Sequence, residues 1–357
     1  SPYRGVDHAR RLRGLADAWR GGPLVGGTTY GAIFGPHLEE ESAVLMALGG
    51  DMKAASGLGT GLARDSRGAG REAAARALEG LGGAAPRLLV LFHEPQMGEG
   101  AAIVAGAREA LGEDFPIVGG GTGTGVILEQ SPLSKQFIGR KVLAGSCVGL
   151  LLAGDFKLAC GVSHGAVPIS KAYTLTKSSG NVLLEFDGRP ALEVFEEALG
   201  IDYAAHGLSL SAFYVACASL EPEGEGFMVL GLWGASREKK ALLCGTNIPQ
   251  GGRFRFVKME PETILAETGL AAAEAARTLG RTPKAAICFD CYGRKLQLGS
   301  HGLVDRELDA LHKAIGGAPL AGMYSGSEIG ALPGPAGRGY RARYGHASTC
   351  FALLGDS

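Results

Sequence analysis

The 357-residue sequence is 46% hydrophobic and 20% charged, and its formal net charge is -1. This composition excludes a disordered chain and a large basic surface for nucleic acid, and its length suits two domains that each bury an apolar core. The longest apolar run, residues 142–154, is too short to cross a bilayer.

Seven cysteines, an odd number, lie in apolar stretches. This usage is typical of buried free thiols in a reducing compartment. We therefore expect a soluble protein of the cytoplasm, or of the chloroplast stroma if a transit peptide has been removed.

The N-terminal part contains an internal repeat. Residues 23–31 (PLVGGTTYG) recur as residues 116–125 (PIVGGGTGTG) at an offset of 93, and residues 51–61 recur as residues 155–165 at an offset of 104. The copies occupy about residues 1–86 and 87–167, and the longer offset indicates insertions in the second copy, around residues 129–140.

Each copy predicts a helix, a short strand, a Gly-Gly-Thr turn and two strands joined by a Gly-Asp turn. In the second copy a strand at residues 87–92 precedes the helix at residues 99–111. The first copy has its helix at residues 6–19 but no strand ahead of it. Because a crossover helix packs on the strand before it, we expect that roughly half a dozen residues of strand are missing there. The alternative is a natural truncation in which residues 1–3 are frayed.

Residues 168–200 are predicted to connect two lobes and to end in a helix at residues 191–199, capped by Gly200. The second lobe is predicted to contain the following elements: strands at 213–218, 226–232, 241–244, 285–290 and 349–354, and helices at 260–279 and 304–315. We therefore predict an α/β fold with mixed sheets and two lobes, residues 1–200 and 201–357.

The sequence lacks the usual catalytic signatures. There is no P-loop, no G-x-G-x-x-G opening a helix and no G-x-S-x-G elbow. We find no nucleophile paired with a base, so we expect no enzyme. Cys288 and Cys291 form a C-x-x-C without a second ligand pair, which favours a structural role over a metal or redox site. Arg294 would nevertheless lower the pKa of a redox-sensing Cys291.

Three further features have two interpretations each. Glu328, within residues 322–330 (GMYSGSEIG), either accepts from backbone N–H groups or binds a cationic ligand group, with Arg294 as counter-charge. His164 is either an ordinary loop histidine or a haem or metal ligand. Residues 333–344 are predicted to form a basic, aromatic loop, either solvated or in contact with an anionic partner, and residues 128–137 a loop for protein contact.

Several runs, taken in order, resemble one family: residues 26–31, 116–120, 174–191, 291–294, 322–328 and 346–349. They resemble the N- and C-terminal halves of the FIST family, named for F-box and intracellular signal transduction proteins. The resemblance implies a non-catalytic sensory module that binds a small molecule, such as an amino acid, and acts through a protein partner or a larger complex. From the charge balance and the motifs, we expect no nucleic-acid partner, no cofactor and no metal.

The resemblance places the ligand between the lobes, at the following residues: Gly26, Thr28, Gly119, Gly120, Arg294, Tyr324 and Glu328. Ser327 and Ala347 replace the glycine and asparagine that are usual in the family. A second hypothesis is therefore a structural or regulatory subunit with a degenerate pocket, such as one in a plastid thylakoid photosynthetic complex, which would be its link to a membrane. A third is a haem-based nitric-oxide sensor that uses His164.

Overall fold

The structure, a computed structural model, describes residues 7–19, 21–124, 134–200, 215–219, 227–334 and 339–357, with only the backbone of 215–219. The helices are α1 (His8–Ala18), α2 (Ser66–Gly80), α3 (Gly100–Leu111), α4 (Ala191–Leu199), α5 (Pro261–Leu279), α6 (Tyr292–Gly299) and α7 (Val304–Ala314). None of these helices is long and apolar enough to cross a membrane.

The strands of the first 163 residues are β1 (Val25–Gly27), β2 (Ala32–Phe34), β3 (His37–Glu39), β4 (Met52–Gly59), β5 (Pro86–His93), β6 (Ile117–Gly121), β7 (Gln136–Ile138), β8 (Lys141–Leu143), β9 (Cys147–Gly154) and β10 (Phe156–Ser163). The remaining strands are β11 (Ala166–Ser179), β12 (Val182–Phe186), β13 (Arg189–Pro190), β14 (Val215–Ser219), β15 (Val229–Ser236), β16 (Ala241–Cys244), β17 (Arg253–Met259), β18 (Ala285–Cys291), β19 (Leu320–Ser325), β20 (Glu328–Pro333), β21 (Tyr340–Gly345) and β22 (Thr349–Asp356).

The strands form four sheets. Sheet I has the order β21-β20-β6-β5-β9-β4, sheet II the order β10-β22-β18-β19-β2-β3, and sheet III the order β1-β7-β8. Sheet IV has the order β11-β17-β14-β15-β16-β12-β13. Sheets I, II and IV each contain strands from both sides of residue 200. The predicted boundary at residue 200 therefore does not assign each sheet to one half of the chain.

Sheets I and II pack face to face through an apolar layer that includes Leu88, Val90, Phe289 and Met323. On its outer face sheet I is covered by α2 and α3, and sheet II by α5 and α7. The result is a four-layer α/β/β/α core. Sheet IV and α4 enclose a separate apolar cluster around Phe186, Phe195 and Phe256.

The core contains three structurally equivalent units, one more than the sequence repeat indicates. Unit two runs β5-α3-β6-β7-β8-β9, and unit three runs β18-α6-α7-β19-β20-β21-β22. Both contain parallel strands joined across helices: β5 with β6 and β18 with β19. Unit one runs α1-β1-β2-β3 and continues through residues 43–50, which have no assigned helix or strand.

Each unit gives its hairpin to the sheet of another unit. The hairpin of unit one pairs through β2 with β19, that of unit two through β7 with β1, and that of unit three through β20 with β6. The registers are equivalent, because the glycine in the middle of each receiving strand pairs with an apolar residue: Gly322 with Ile33, Gly26 with Phe137, and Gly119 with Ile329. The three units are therefore interlocked in a ring.

Most predicted elements are found where the sequence placed them. The helix ending at Gly200 has that residue at φ 70°, the left-handed conformation that favours glycine at a helix end. Two predictions were wrong: residues 340–344 lie in strand β21 rather than in a loop, and most of residues 168–200 form strands of sheet IV rather than a connection. The part of the predicted insertion at residues 129–133 lies outside the described residues.

Candidate functional site at the junction of three turns

The turns that follow β1, β6 and β19 meet at one point, which we call the junction. Three hydrogen bonds link the turns in a ring: Gly123 N–H to the Thr28 carbonyl at 2.8 Å, Thr29 Oγ1 to the Tyr324 carbonyl at 2.8 Å, and Gly326 N–H to the Gly121 carbonyl at 2.9 Å. The junction lies beyond the carboxyl ends of the parallel strands of units two and three. This is the position at which open α/β sheets bind ligands.

The ring of Tyr30 fills the centre of the junction. The equivalent positions in units two and three are Gly123 and Gly326, and a Cβ atom on these glycines would lie 2.3 Å from Tyr30 Cδ2 and 3.4 Å from Tyr30 Cε2, respectively. The Tyr30 ring also stacks on Tyr292, with centroids 4.3 Å apart. Burial, and then the nearby Glu94 carboxyl, raise the pKa of Tyr30, so its hydroxyl is neutral at physiological pH.

Glu94, directly after β5, is the carboxyl group of the junction on the side of unit two. Its Oε2 accepts from Ser134 Oγ at 2.6 Å and its Oε1 from the Gln96 N–H at 3.1 Å. Ser134 Oγ also lies 2.6 Å from Thr122 Oγ1, which accepts from Gln136 Nε2 at 2.7 Å. Burial raises the pKa of Glu94 despite these bonds.

Glu328, at the start of β20, is the carboxyl group on the side of unit three. Its Oε1 lies 3.0 Å from Ser325 Oγ, and its Oε2 accepts from the Ser348 N–H at 3.3 Å. Burial raises the pKa of Glu328 well above its ordinary value. The bond from the Ser348 N–H fits the first of the two interpretations of Glu328, in which its carboxyl group accepts from backbone N–H groups.

A row of buried polar side chains runs from the junction towards the surface. Ser327 Oγ lies 3.4 Å from His93 Nε2, and the Tyr344 hydroxyl hydrogen-bonds Ser327. The Tyr344 hydroxyl also lies 3.4 Å from His346 Nε2, and His346 Nδ1 accepts from the Gly231 N–H at 3.3 Å. Burial lowers the pKa of both histidines to about 4, so both rings are neutral near pH 7.

The predicted turn residues lie at the junction or beside it, packed against the chain itself. Thr28 Oγ1 accepts from the Lys135 N–H at 2.9 Å. A Cβ atom on Gly119 would lie 2.0 Å from the Leu91 carbonyl oxygen, and one on Gly120 would lie 2.7 Å from Ser325 Cβ. These two positions therefore require glycine for close packing. Gly26 differs, since its nearest atom would be Phe137 Cδ2 at 3.9 Å.

The comparisons with known proteins match this architecture to one family. A FIST N domain matches residues 1–189, and a FIST C domain matches residues 191–331. The chain belongs to the FIST family. An uncharacterized protein of Mycobacterium tuberculosis is 30% identical over 236 residues, which are 63% of this chain and 60% of that protein. An uncharacterized protein of Mycobacterium bovis is 28% identical over 208 residues, 56% of this chain and 53% of its own length.

The chain therefore spans about three fifths or less of the length of these curated relatives. The two FIST domain matches confirm the resemblance to both halves of the family, and with it the general assignment to a family of sensory, signal-transduction modules.

Arg294, which the FIST resemblance places at the ligand, is instead fully buried among helices α5, α6 and α7. Its guanidinium group pairs with Glu307, lies 3.2 Å from Asp290 Oδ1, and donates to Thr268 Oγ1 at 2.8 Å. The charges of Glu307 and Asp290 raise its pKa against the effect of burial. Arg294 is therefore the direct partner of these two carboxyl groups, and its predicted effect on Glu328 is a weaker one, in which its charge lowers the pKa of Glu328 against the larger effect of burial.

Tyr324 belongs to the junction through its backbone and to the Arg294 cluster through its ring. Its carbonyl accepts from Thr29, while its side chain is fully buried and its register partner is Asp290. Burial and then Asp290 raise the pKa of Tyr324.

The surroundings of Cys291 do not give it the lowered pKa of a redox-sensing thiol. Burial, and then the neighbouring Glu328 carboxyl, raise the pKa of this cysteine instead of lowering it. Cys288 and Cys291 are both free and buried, and in the described part of the chain no group of three or more potential ligands could hold a metal. The burial of both thiols fits the structural interpretation of the C-x-x-C.

The surroundings of His164 do not fit a haem. Its ring packs on Phe227 with centroids 4.2 Å apart, and it hydrogen-bonds the Phe227 backbone. Burial, and then the charge of Arg294, lower its pKa to about 4. An aromatic ring and a charged cluster are thus its neighbours, where a porphyrin needs an open apolar slot.

Sequence reasoning missed Tyr30, His93 and Glu94, although a signal for Tyr30 was present. Residues 319–322 (PLAG) repeat the start of both aligned turns, and extending that alignment sets Tyr30 opposite Gly123 and Gly326. A single bulky residue opposite two glycines indicates a side chain that fills shared space. His93 and Glu94 carry no such signal, because many strands end in polar residues.

Proposed function

We propose that this FIST chain is a non-enzymatic sensory module in which a small polar ligand competes with the Tyr30 ring for the junction. The observation that carries the proposal is the position of that ring. It lies between two glycines and is close enough to the buried Glu94 carboxyl for that group to raise its pKa, so its withdrawal would open a site with a polar wall.

The ligand that suits this wall is compact and carries hydrogen-bond donors, as an amino acid does. Glu94 and Glu328 are carboxyl groups whose pKa values are raised by burial. An ammonium group beside either one would favour the ionised carboxylate and form a charge-assisted hydrogen bond. Ligand binding would therefore offset the effect of burial on the carboxyl group that it contacts and form an ion pair with it.

The hairpin after Tyr30 provides a route from the junction to a partner. The Tyr30 N–H donates to the Tyr324 carbonyl at 3.1 Å, and β2 follows two residues later. Phe34, at the end of β2, is 59% exposed. Displacement of Tyr30 would shift this strand and its exposed aromatic ring, which is the kind of residue that anchors protein interfaces.

Thermal denaturation with a panel of amino acids and small organic acids tests the proposal. Wild type and Tyr30→Ala are compared, and the variant is expected to show the larger ligand-induced rise in Tm because its site is already open. If no compound shifts the Tm of either protein, the ligand site is refuted.

A second candidate function is that of a regulatory or structural subunit whose pocket is permanently closed. The packing of Tyr30 favours it, as does Ala347, whose φ of 55° is the left-handed conformation that asparagine tolerates better than alanine. This candidate predicts that only Tyr30→Ala responds to ligands and that the native protein co-purifies with a stoichiometric partner. A native protein that elutes alone, or a wild-type protein that responds to ligands, would exclude it.

A further inference from the structure

Lys295, on α6, holds the segment that carries Tyr30. Its Nζ donates to the Tyr30 carbonyl at 2.7 Å and lies 2.6 Å from Glu40 Oε1. Glu40 directly follows β3, so both oxygens belong to unit one, whereas Lys295 belongs to unit three. An ammonium group of one unit is therefore bonded to the backbone and the hairpin of another.

The two side chains of this ion pair differ in exposure. That of Lys295 is 12% exposed and that of Glu40 is 63% exposed. The Lys295 ammonium lies 5.8 Å from the centroid of the Tyr324 ring and 6.0 Å from that of Tyr292, the ring on which Tyr30 stacks. Glu40 can therefore exchange its partner for water at low cost, whereas Lys295 cannot.

Withdrawal of Tyr30 would remove both of these oxygens from Lys295. The Tyr30 carbonyl and Glu40 lie at the two ends of one hairpin, in which β2 pairs with β3, so they would leave together. Lys295 would stay behind, because α6 directly follows β18 of sheet II. A mostly buried ammonium group without an acceptor is costly. The open junction therefore needs an anionic group at this point.

We propose that Lys295 binds a carboxylate group of the ligand in exchange for Glu40 and the Tyr30 carbonyl. This deepens the proposed function and rests on it, since the exchange begins when Tyr30 withdraws. The ligand then carries an anionic group in addition to the donors that face Glu94 or Glu328. Its carboxylate forms a new ion pair with Lys295, and Glu40 moves into solvent with the hairpin. A ligand without that group leaves the ammonium unpaired and favours the closed junction.

Acetate is the probe for this exchange, because it supplies a carboxylate group alone. Glu40→Ala removes the exchangeable partner and keeps Lys295. Sodium acetate, in place of sodium chloride at constant sodium concentration, is expected to raise the Tm of this variant by about 2 °C more than that of wild type. Adding Lys295→Met should abolish the difference. The matched control is Glu193→Ala, which breaks a pair with Lys240 at 2.7 Å in which both side chains are exposed.

A gain in Glu40→Ala no larger than that in Glu193→Ala would overturn the proposal. A second measurement applies the amino acids of the panel, each beside its amide, to Tyr30→Ala. Every amino acid that raises the Tm is expected to bind at least about tenfold more tightly than its amide, and adding Lys295→Met should remove this preference.

The outcomes separate this proposal from the proposed function. Amides that bind as tightly as the amino acids would overturn the role of Lys295 and leave the ligand site at the junction standing. A response of Glu40→Ala to acetate, without any response to the panel, would support the carboxylate site at Lys295 and refute the proposed function.

Discussion

The ring of Tyr30 occupies the space that a side chain on Gly123 would need, with Tyr30 Cδ2 only 2.3 Å from the position of a Cβ atom on that glycine. The two residues are equivalent members of units one and two. The three units therefore have equivalent backbones at this position but different side chains. The one bulky side chain, that of Tyr30, fills the junction.

The equivalent glycines of the three units should differ sharply in their tolerance of alanine. Gly119→Ala and Gly322→Ala place a methyl group about 2 Å from a backbone carbonyl, which cannot move without its strand. We expect each to lower the free energy of unfolding by about 3 kcal/mol or more. Gly26→Ala, the matched control, should change it by less than about 0.5 kcal/mol. Urea denaturation measures all three, and equal losses would contradict the open surroundings of Gly26.

Glu328 should behave as a neutral hydrogen-bonding group. Burial raises its pKa well above the ordinary value and so favours the neutral acid. Glu328→Gln should therefore change the free energy of unfolding by less than about 1 kcal/mol. Glu328→Ala removes the acceptor of the buried Ser348 N–H and should cost about 2 kcal/mol or more. If glutamine is as damaging as alanine in urea denaturation, the carboxyl group is ionised in the folded protein.

Substitutions of Arg294 and of Asp290 should lower the free energy of unfolding by different amounts. Arg294→Met leaves Glu307 without its buried counter-charge and should lower the free energy of unfolding by about 3–5 kcal/mol. Burial, and then the charge of Glu307, raise the pKa of Asp290 well above its ordinary value, so Asp290→Asn should cost much less. Guanidinium denaturation at pH 7 compares them. A larger loss for asparagine than for methionine would show that Asp290 carries the charge.

His346 should make the protein sensitive to acid. Its pKa is about 4 when folded, below the ordinary value of 6.5, so the unfolded chain binds the proton first as the pH falls from 6.5 to 4. Stability is therefore lost over that window, by about 2.5 kcal/mol from this ring at pH 4.5. Buried Asp290 and Glu328, whose pKa values are raised, act in the opposite direction.

His346→Gln isolates the contribution of the histidine. The variant should lose less free energy of unfolding than wild type between pH 7 and pH 4.5, whatever its stability at pH 7. Parallel pH profiles for the two proteins would contradict the assigned pKa shift.

The sequence predicted most of the elements, because strong apolar periodicity and glycine caps mark them, as at α4 with Gly200. It missed α2, whose buried residues are alanines and a glycine. That helix is held by close approach: a Cβ atom on Gly57 of β4 would lie 1.9 Å from the Ala73 carbonyl oxygen. Such packing leaves only small residues in the sequence, with little apolar contrast to detect.

The site was predicted at the level of its turns but not of its side chains. Repeated Gly-Gly-Thr motifs located the junction, because turns between repeats are marked by glycine. Arg294 was misplaced, since nothing in its sequence neighbourhood shows that Glu307 of α7, thirteen residues later, becomes its partner. The exchange of hairpins between units was equally invisible, because it depends on pairings such as Gly322 with Ile33 across most of the chain.

The central claim is that the space occupied by the Tyr30 ring can bind a small molecule, and one measurement tests it directly. The Tm of Tyr30→Ala is measured with increasing 4-methylphenol, the analogue of the deleted side chain, alongside wild type. Large-to-small core substitutions of aromatic residues cost about 3–5 kcal/mol. We expect the phenol to restore part of this loss in the variant and to leave wild type unchanged. A variant that does not respond to the phenol, or a wild-type protein that responds equally, would contradict a ligand position held by Tyr30.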